Sequence, residues 1–328
     1  MKGIKKIGRR LVERLRLHRE GWKDSNRYYR AASWAGPVKA NYLGHTEADM
    51  IRHYHVVEKG LAMPEFKPKS GVAVVKNLGV LVCAWERNGG SLDSKQYLAA
   101  LSALQAYWQR HVDMGIDVSD FVVDVKFANS EEDEPLGGVS IPKLPNAGDQ
   151  EVVDRVMRSR RSMRIFRDDQ EPADEELRAA IKSSISTPSV CNRQTWRVHI
   201  YKGENAQRVL ACQTGNRGFG HTIPIVMIVT VDMRYFSEVA ERYQPWVEGG
   251  LFSMSLMLAL HARGIGNVAL NWSRNNADDE ILRDVAHLET YERVIMLIGC
   301  GYPVEGVSVP ISCRNEVESF IHWHGKEL

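Results

Sequence analysis

The sequence has few features of disulfide-rich or zinc-binding proteins, of membrane-spanning proteins or of proteins that bind polyanions. Its five cysteines are odd in number and form no Cys-x-x-Cys pair, so we expect a reducing compartment and neither a disulfide framework nor a zinc site. The most apolar run, near residues 249–262, is interrupted by Ser253, Ser255 and His261, which predicts a buried helix rather than a membrane span. The formal net charge is only +2 over 328 residues, so the bulk charge does not indicate a polyanionic partner.

That balance conceals a basic first segment. The first thirty residues hold eleven Lys or Arg against three acids, with Ile4, Ile7, Leu11 and Leu15 at helical spacing among them. A basic amphipathic helix packs on its own domain or on a dimer partner, or lies on an anionic membrane surface. Nucleic-acid binding is not expected, because aromatic interleaving and a known module are lacking. Without a continuous apolar stretch the segment is not typical of a signal peptide, so we expect a cytoplasmic protein.

The length and composition predict two regions. Residues 129–150 contain acids, prolines and glycines without a helical period, which is typical of a linker. This linker would separate an N-terminal region of unknown role, residues 1–128, from a C-terminal domain, residues 151–328.

The N-terminal region is predicted to be mostly helical. Helices are expected over 47–59 and 98–112, whereas the stretches 71–76, 78–83 and 121–127 carry no clear period. His55 and Glu58 would share one helix face, as a hydrogen-bonded pair or as half of a metal site. Because a second set of ligands is missing, we predict no metal.

In the C-terminal domain the periods alternate between helix and strand. Helices are expected over 151–158, from Pro172 to about 184, over 238–263 with a stop at Gly264, and over 277–288 with Asn276 as its cap. Strands are expected over 196–202, 224–231 and 293–299. This order predicts an α+β fold in which helices cover a small sheet.

One cationic motif is suited to a phosphate. Arg160, Arg161, Ser162 and Arg164 offer guanidinium forks and a hydroxyl within five residues, which matches the geometry of a phosphate dianion. A solvated basic helix end has the same composition, so the motif alone leaves both interpretations open.

A second motif is suited to the edge of a planar heterocycle. Pro188 and Ser189, followed by Asn192, Gln194 and Trp196, place amides and a hydroxyl at a helix-to-strand turn. An isoalloxazine edge presents donors and acceptors that such groups can bind, although Pro, Ser and Asn are also ordinary turn residues. A phosphate and a planar ring in one pocket suggest flavin mononucleotide (FMN).

In order and spacing these motifs resemble the nitroreductase family of FMN-dependent oxidoreductases, over about residues 151–325. Residues 160–166 match Arg-Arg-Ser-x-Arg-x-Phe, and 188–196 match Pro-Ser-x-x-Asn-x-Gln-Pro-Trp except at Thr195. Residues 260–266 are similar to the end of the family's long helix, residues 298–303 to a late strand end, and Arg314 to a phosphate-contacting arginine near the C-terminus.

The resemblance implies a small, mostly antiparallel sheet flanked by helices, with helix 238–263 at the core of an intertwined homodimer. It implies that Arg160, Arg161, Ser162, Arg164 and Arg314 hold the phosphate and ribityl end of FMN. Pro188, Ser189 and Asn192 would contact the flavin, in this family often from the partner subunit, and Leu270 and Asn271 would bring backbone amides to the ring. No protein side chain is assigned as a catalytic acid or base.

The implied activity is hydride transfer from NADH or NADPH through the flavin to a small-molecule acceptor that the sequence does not identify. Two departures from the family pattern concern turnover: Ser255 replaces a usual Asn, and the segment 216–223 is short. The alternative is therefore a flavin-fold protein without turnover that acts as a binding or scaffold partner, with polysaccharide biosynthesis as one setting.

Overall fold

A computed structural model describes residues 2–32, 43–120 and 136–325, with side chains from Leu11 onward. The helices are α1 Lys2–Ala31, α2 Leu43–Leu61, α3 Val72–Arg87, α4 Lys95–Val112, α5 Asp149–Ser159, α6 Asp174–Ser184, α7 Gly203–Ala211, α8 Gln244–His261 and α9 Asn276–Ala286. The strands are β1 Trp196–Lys202, β2 Ile225–Asp232, β3 Gly266–Asn271 and β4 Glu292–Gly301.

The four strands form one antiparallel sheet in the order β1-β2-β4-β3. Every residue of β2 is buried, because both faces of the sheet are covered and β2 has a neighbour on each side. On one face Phe252 and Leu256 of α8 pack with α6, and on the other Val209 of α7 packs with Leu282 of α9. The predicted α+β fold is confirmed.

Some predicted boundaries in this domain need correction. Residues Val239–Tyr243 form a 3₁₀ turn, and α8 begins only at Gln244 because Pro245 fits the first turn of a helix but not its interior. The cap of α9 is Asn275 rather than Asn276, since the Asn275 side chain accepts hydrogen bonds from the N–H groups of Ala277 and Asp278. Helix α7 and strand β3 were not predicted.

The N-terminal region is helical, as predicted. Helices α2, α3 and α4 pack around one apolar cluster that includes Met50, Leu78 and Leu104. The unassigned stretches 71–76 and 78–83 belong to the single helix α3, with Gly71 as its N-terminal cap, whereas 121–127 lies outside the described residues. His55 contacts Glu58 at 3.5 Å, and Glu58 also accepts a hydrogen bond from the Gly138 N–H at 3.1 Å.

Two parts of the N-terminal region pack against the C-terminal domain. The end of α1 shares a buried cluster with Val231, Met233 and Phe236. Helix α2 contacts the neighbouring turn, where the Tyr235 hydroxyl donates to the Glu47 carboxylate. The short segment after β2 therefore lies against both α1 and α2.

In the ranges that the structure describes, none of the helices combines the length and the apolar character needed to cross a membrane.

Candidate functional site

The cationic motif begins where α5 ends. Arg160 is the C-terminal cap of α5, and its extended backbone directs the chain toward the edge strand β3. Burial, followed by the nearby charges of Arg161 and Arg314, lowers the pKa of Arg160. The structure thus brings Arg314, about 150 residues away in sequence, near enough to Arg160 for their charges to interact.

In the described part of the chain these cations have no acidic partner. Over residues 11–32, 43–120 and 136–325, no carboxylate lies within ion-pairing distance of Arg160, Arg161, Arg164 or Arg314. Three of them donate only to backbone carbonyls, for example Arg164 Nη1 to Ser162 O at 3.4 Å. Clustered guanidinium groups without a counter-charge fit a dianionic ligand such as a phosphate monoester.

His261 adds a neutral donor or acceptor to this cluster. Its Nε2 lies 2.7 Å from the Ser159 hydroxyl, at the C-terminal end of α8. Burial, together with the charges of Arg160 and Arg161, lowers the pKa of His261 and favours the neutral imidazole. We refer to Ser159, Arg160, Arg161, Ser162, Arg164, His261 and Arg314 as the phosphate cluster.

Strand β3 forms the wall next to this cluster. The Met163 N–H donates to Asn267 O at 3.0 Å, which pairs the segment after Ser162 with the outer edge of β3. Asn267 is fixed in turn, because its buried side-chain amide donates to Met257 O at 2.9 Å.

The two predicted residues of β3 differ in orientation. Peptide groups alternate along a strand, and the outward hydrogen bonds of Asn267 O and Asn271 O show which positions face away from β4. Ala269 and Asn271 therefore present their peptide groups at the open edge. Leu270 pairs with Leu297 of β4, and its side chain is buried in the core. Of the predicted pair, only Asn271 has its peptide group at the open edge.

The turn predicted to contact the flavin, residues 188–196 and hereafter the flavin turn, has an unusual backbone. Cys191, Asn192 and Gln194 all adopt positive φ angles of 50–55°, which is uncommon for residues other than glycine. The Ser189 hydroxyl accepts the Gln194 N–H at 3.0 Å and bridges the turn, while Pro188 and Asn192 are exposed. Such a conformation persists only where its surroundings hold it in place.

Glu248 of α8 is one of those surroundings. Its buried carboxylate accepts the Val190 N–H at 2.9 Å and the Thr195 hydroxyl at 2.6 Å, so it joins both ends of the turn to the helix. Burial raises the pKa of Glu248, and the two hydrogen bonds act in the opposite direction. Thr195, the departure from the family's Pro, thus supplies a hydroxyl that the carboxylate binds.

The turn also contacts the N-terminal region. Tyr54 of α2 is buried and donates its hydroxyl proton to Gln96 Oε1 at 2.6 Å. Burial raises the pKa of Tyr54, and the nearby Asn192 side chain acts in the opposite direction. Arg193, a buried residue of the turn, donates to Tyr235 O at 2.6 Å and pairs with Glu241. A predicted flavin contact, Asn192, thus lies beside a helix for which the sequence predicts no role.

Within one chain the phosphate cluster and the flavin turn lie at opposite ends of α8. Glu248 contacts the turn near the start of the helix, and His261 contacts the cluster at its last residue. At 1.5 Å per residue these positions are about 20 Å apart along the helix axis. One chain therefore does not bring Arg160 and Asn192 together.

The C-terminal half of the chain is similar to a known family. The sequence model of the nitroreductase family matches residues 157–211 and 206–302. The match contains the phosphate cluster except Arg314, the whole flavin turn, α8 and β3.

The individual proteins to which this half of the chain is similar are distant. A protein named NADH dehydrogenase from Thermus thermophilus is 23% identical, over 44% of this chain and 84% of its own length. Among solved structures, a nitroreductase family protein from Streptococcus pneumoniae has a TM-score of 0.46 at 19% identity, covering 52% of this chain and 100% of its own. An FMN-dependent nitroreductase from Clostridium difficile has a TM-score of 0.43 at 19% identity, covering 52% and 98%.

Among the residues that shape this site, sequence reasoning missed Ser159, Glu248, His261 and Ala269. Ser159 directly precedes the cationic motif, so its position was a usable signal. Glu248 was the one acid in the first two turns of an otherwise apolar helix, and a buried acid requires partners. Ala269 carried no signal, because its peptide group, rather than its side chain, faces the open edge.

Proposed function

We propose that this protein is an FMN-dependent oxidoreductase that takes hydride from NADH or NADPH and delivers electrons to a small-molecule acceptor. The observation that carries the proposal is the phosphate cluster, whose arginines have no carboxylate partner in the described part of the chain. It is supported by the family match, which spans the same motif, and by the relative named NADH dehydrogenase. Bound FMN would supply the redox chemistry.

In this proposal each group of residues has a separate task. Arg160, Arg161, Ser162, Arg164 and Arg314 neutralise and bind the phosphate and the ribityl end. Pro188, Ser189 and Asn192 contact the ring, and the open edge of β3 at Asn271 offers an N–H to it, with Leu270 packing behind. Donors fixed in this way stabilise negative charge on the ring without reorganising during the reaction.

We further propose that the functional form is a homodimer with the site shared between two chains. Helix α8 leaves Val247, Leu251 and Met254 exposed at spacings of four and three, which gives it an apolar stripe. Two α8 helices packed about a twofold axis would bring the phosphate cluster of one chain toward the flavin turn of the other. The exposed apolar side chains of Ile311, Phe320 and Trp323 in the C-terminal segment favour the same arrangement.

The experiment that tests this proposal is an absorption spectrum of the purified protein, followed by anaerobic titration with NADH and with NADPH. A flavin band that either nucleotide bleaches is the expected result and identifies the reductant. A flavin band that neither bleaches would favour the binding role without turnover. Absence of flavin after incubation with FMN would overturn the proposal.

A further inference from the structure

The part of α1 from Leu11 to Arg19 lies outside the body of the protein. Every one of these residues is exposed, and among residues 11–31 hydrogen bonds to the body begin at Glu20. From there the helix is anchored: Glu20 accepts the Asn276 N–H at 2.9 Å, Asp24 accepts from Arg293 at 2.8 Å, and Tyr28 donates to Glu238 O at 2.6 Å. The exposed part thus continues from an anchored helix.

An apolar stripe runs along the side of α1 that faces away from the body. Leu11, Leu15 and Trp22 are 58%, 61% and 68% exposed, and at 100° per residue they fall within about 40° of one another. Asp24, which contacts the body, lies on the opposite side of the helix. In the sequence Ile4 and Ile7 continue the spacing of the stripe.

The charge around this stripe identifies what can cover it. Residues 2–19 contain eight Lys or Arg and one acid, Glu13. A second copy of α1 would bring an equal positive charge against the first, and like charges repel. Nucleic acid would neutralise the cations but would leave the leucines and the tryptophan in water. An anionic lipid surface satisfies both, since its headgroups attract the cations and its acyl boundary takes up the apolar side chains.

We propose that α1 binds the surface of membranes that contain anionic lipids, with Leu11, Leu15 and Trp22 inserted at the interface. Anchoring through Glu20, Asp24 and Tyr28 then fixes the orientation of the protein on the membrane. This surface interaction is independent of the proposed redox activity, because none of these residues belongs to the phosphate cluster or the flavin turn.

The test is co-sedimentation of the full chain with vesicles of phosphatidylcholine alone and with about one-third phosphatidylglycerol. We expect binding to the anionic vesicles only, reversed by roughly half-molar sodium chloride because salt screens the attraction. Tryptophan emission should shift to shorter wavelength on binding, and the shift should be smaller in a Trp22→Ser variant.

Matched variants separate the apolar and electrostatic contributions. Leu15→Glu should abolish binding, whereas Leu144→Glu, which changes a leucine that is 82% exposed outside α1, should not. Arg14→Gln with Arg19→Gln should weaken binding about 25-fold, at roughly fivefold for each cation near the surface. Arg87→Gln with Arg178→Gln removes two exposed arginines elsewhere and should leave binding unchanged.

Two results would overturn the proposal. One is equal or absent binding to both kinds of vesicle by the folded protein. The other is a parent protein that binds no vesicles and is a dimer by light scattering, together with a Leu15→Glu variant that is a monomer. The apolar stripe would then pair two copies of the chain.

Discussion

The phosphate cluster and the flavin turn, at the two ends of α8, differ in how their polar groups are paired. At the C-terminal end of the helix the phosphate cluster holds cations that have no carboxylate partner among the described residues and whose hydrogen bonds go to nearby carbonyls. At the N-terminal end the flavin turn is held by hydrogen bonds to Glu248 and Ser189 and lies beside Tyr54. We infer that the first end supplies binding free energy and the second supplies a preformed shape. Changes at the two ends should therefore affect different measurements.

The largest expected effect is on flavin affinity at the cationic end. Arg160→Ala with Arg161→Ala should weaken FMN binding a hundredfold or more, since each charge-assisted hydrogen bond contributes about 1.5–3 kcal/mol. Flavin content after gel filtration and a titration of the stripped protein with FMN would measure this. Arg87→Ala with Arg178→Ala is the matched control, and full flavin occupancy in the first variant would refute the assignment.

Next in size is a loss of stability at the other end. Glu248→Ala should lower the free energy of unfolding by about 3 kcal/mol, because it leaves the Val190 N–H and the buried Thr195 hydroxyl without their acceptor. Chemical denaturation of the flavin-free protein would show the loss. An unchanged midpoint would mean that the turn does not depend on the carboxylate, and the comparison between the two ends would fail.

A smaller effect is expected where α2 contacts the turn. Tyr54→Phe removes the hydrogen bond to Gln96 and the hydroxyl beside Asn192 but keeps the ring, so it should cost about 1 kcal/mol of stability. FMN affinity should fall by less than tenfold, because only the orientation of Asn192 is affected. Tyr107→Phe, which removes a hydroxyl bonded to Ser70 O elsewhere in the N-terminal region, is the control and should leave FMN affinity unchanged. Equal losses of affinity in the two variants would contradict a specific role for Tyr54.

The smallest effect is a pH dependence. The native pKa of Glu248 is raised above its ordinary value of 4.5, so the folded protein holds more protons than the unfolded chain in the interval between the two values. The stability contributed by this group is fully present below pH 4.5 and is lost as the pH rises through the native pKa. Because glutamine does not titrate, the melting temperature of Glu248→Gln relative to the parent should increase across that interval. A constant difference would show that the carboxylate is not perturbed.

Many of the helices and strands could be predicted from the local sequence pattern. Strand 196–202 and the end of helix α6 were located from periodicity and helix signals, because each has a strong period and a clear boundary. Strand β3 was missed because it is short and glycine precedes it. Helix α3 was left unassigned as the two stretches 71–76 and 78–83, because its packing against α2 and α4 is not a local property.

For the candidate site, the sequence identified residues but not their arrangement. The cationic motif and Arg314 could be named from spacing, but their closeness depends on how the chain returns after β4. The roles of Glu248 and Tyr54 are tertiary, since each acts on a turn at least 50 residues away in sequence. No local pattern records such a contact.

The short segment that follows β2 connects α1 directly to the flavin turn. Phe236 packs with Tyr28 of α1 on one side, with ring centroids 6.5 Å apart, and lies beneath the Arg193 guanidinium at 5.5 Å on the other. Arg193 belongs to the flavin turn. A displacement of α1 would therefore reach Arg193 through the contacts of Tyr28 and Phe236, and Arg193 directly follows Asn192, which is proposed to contact the ring.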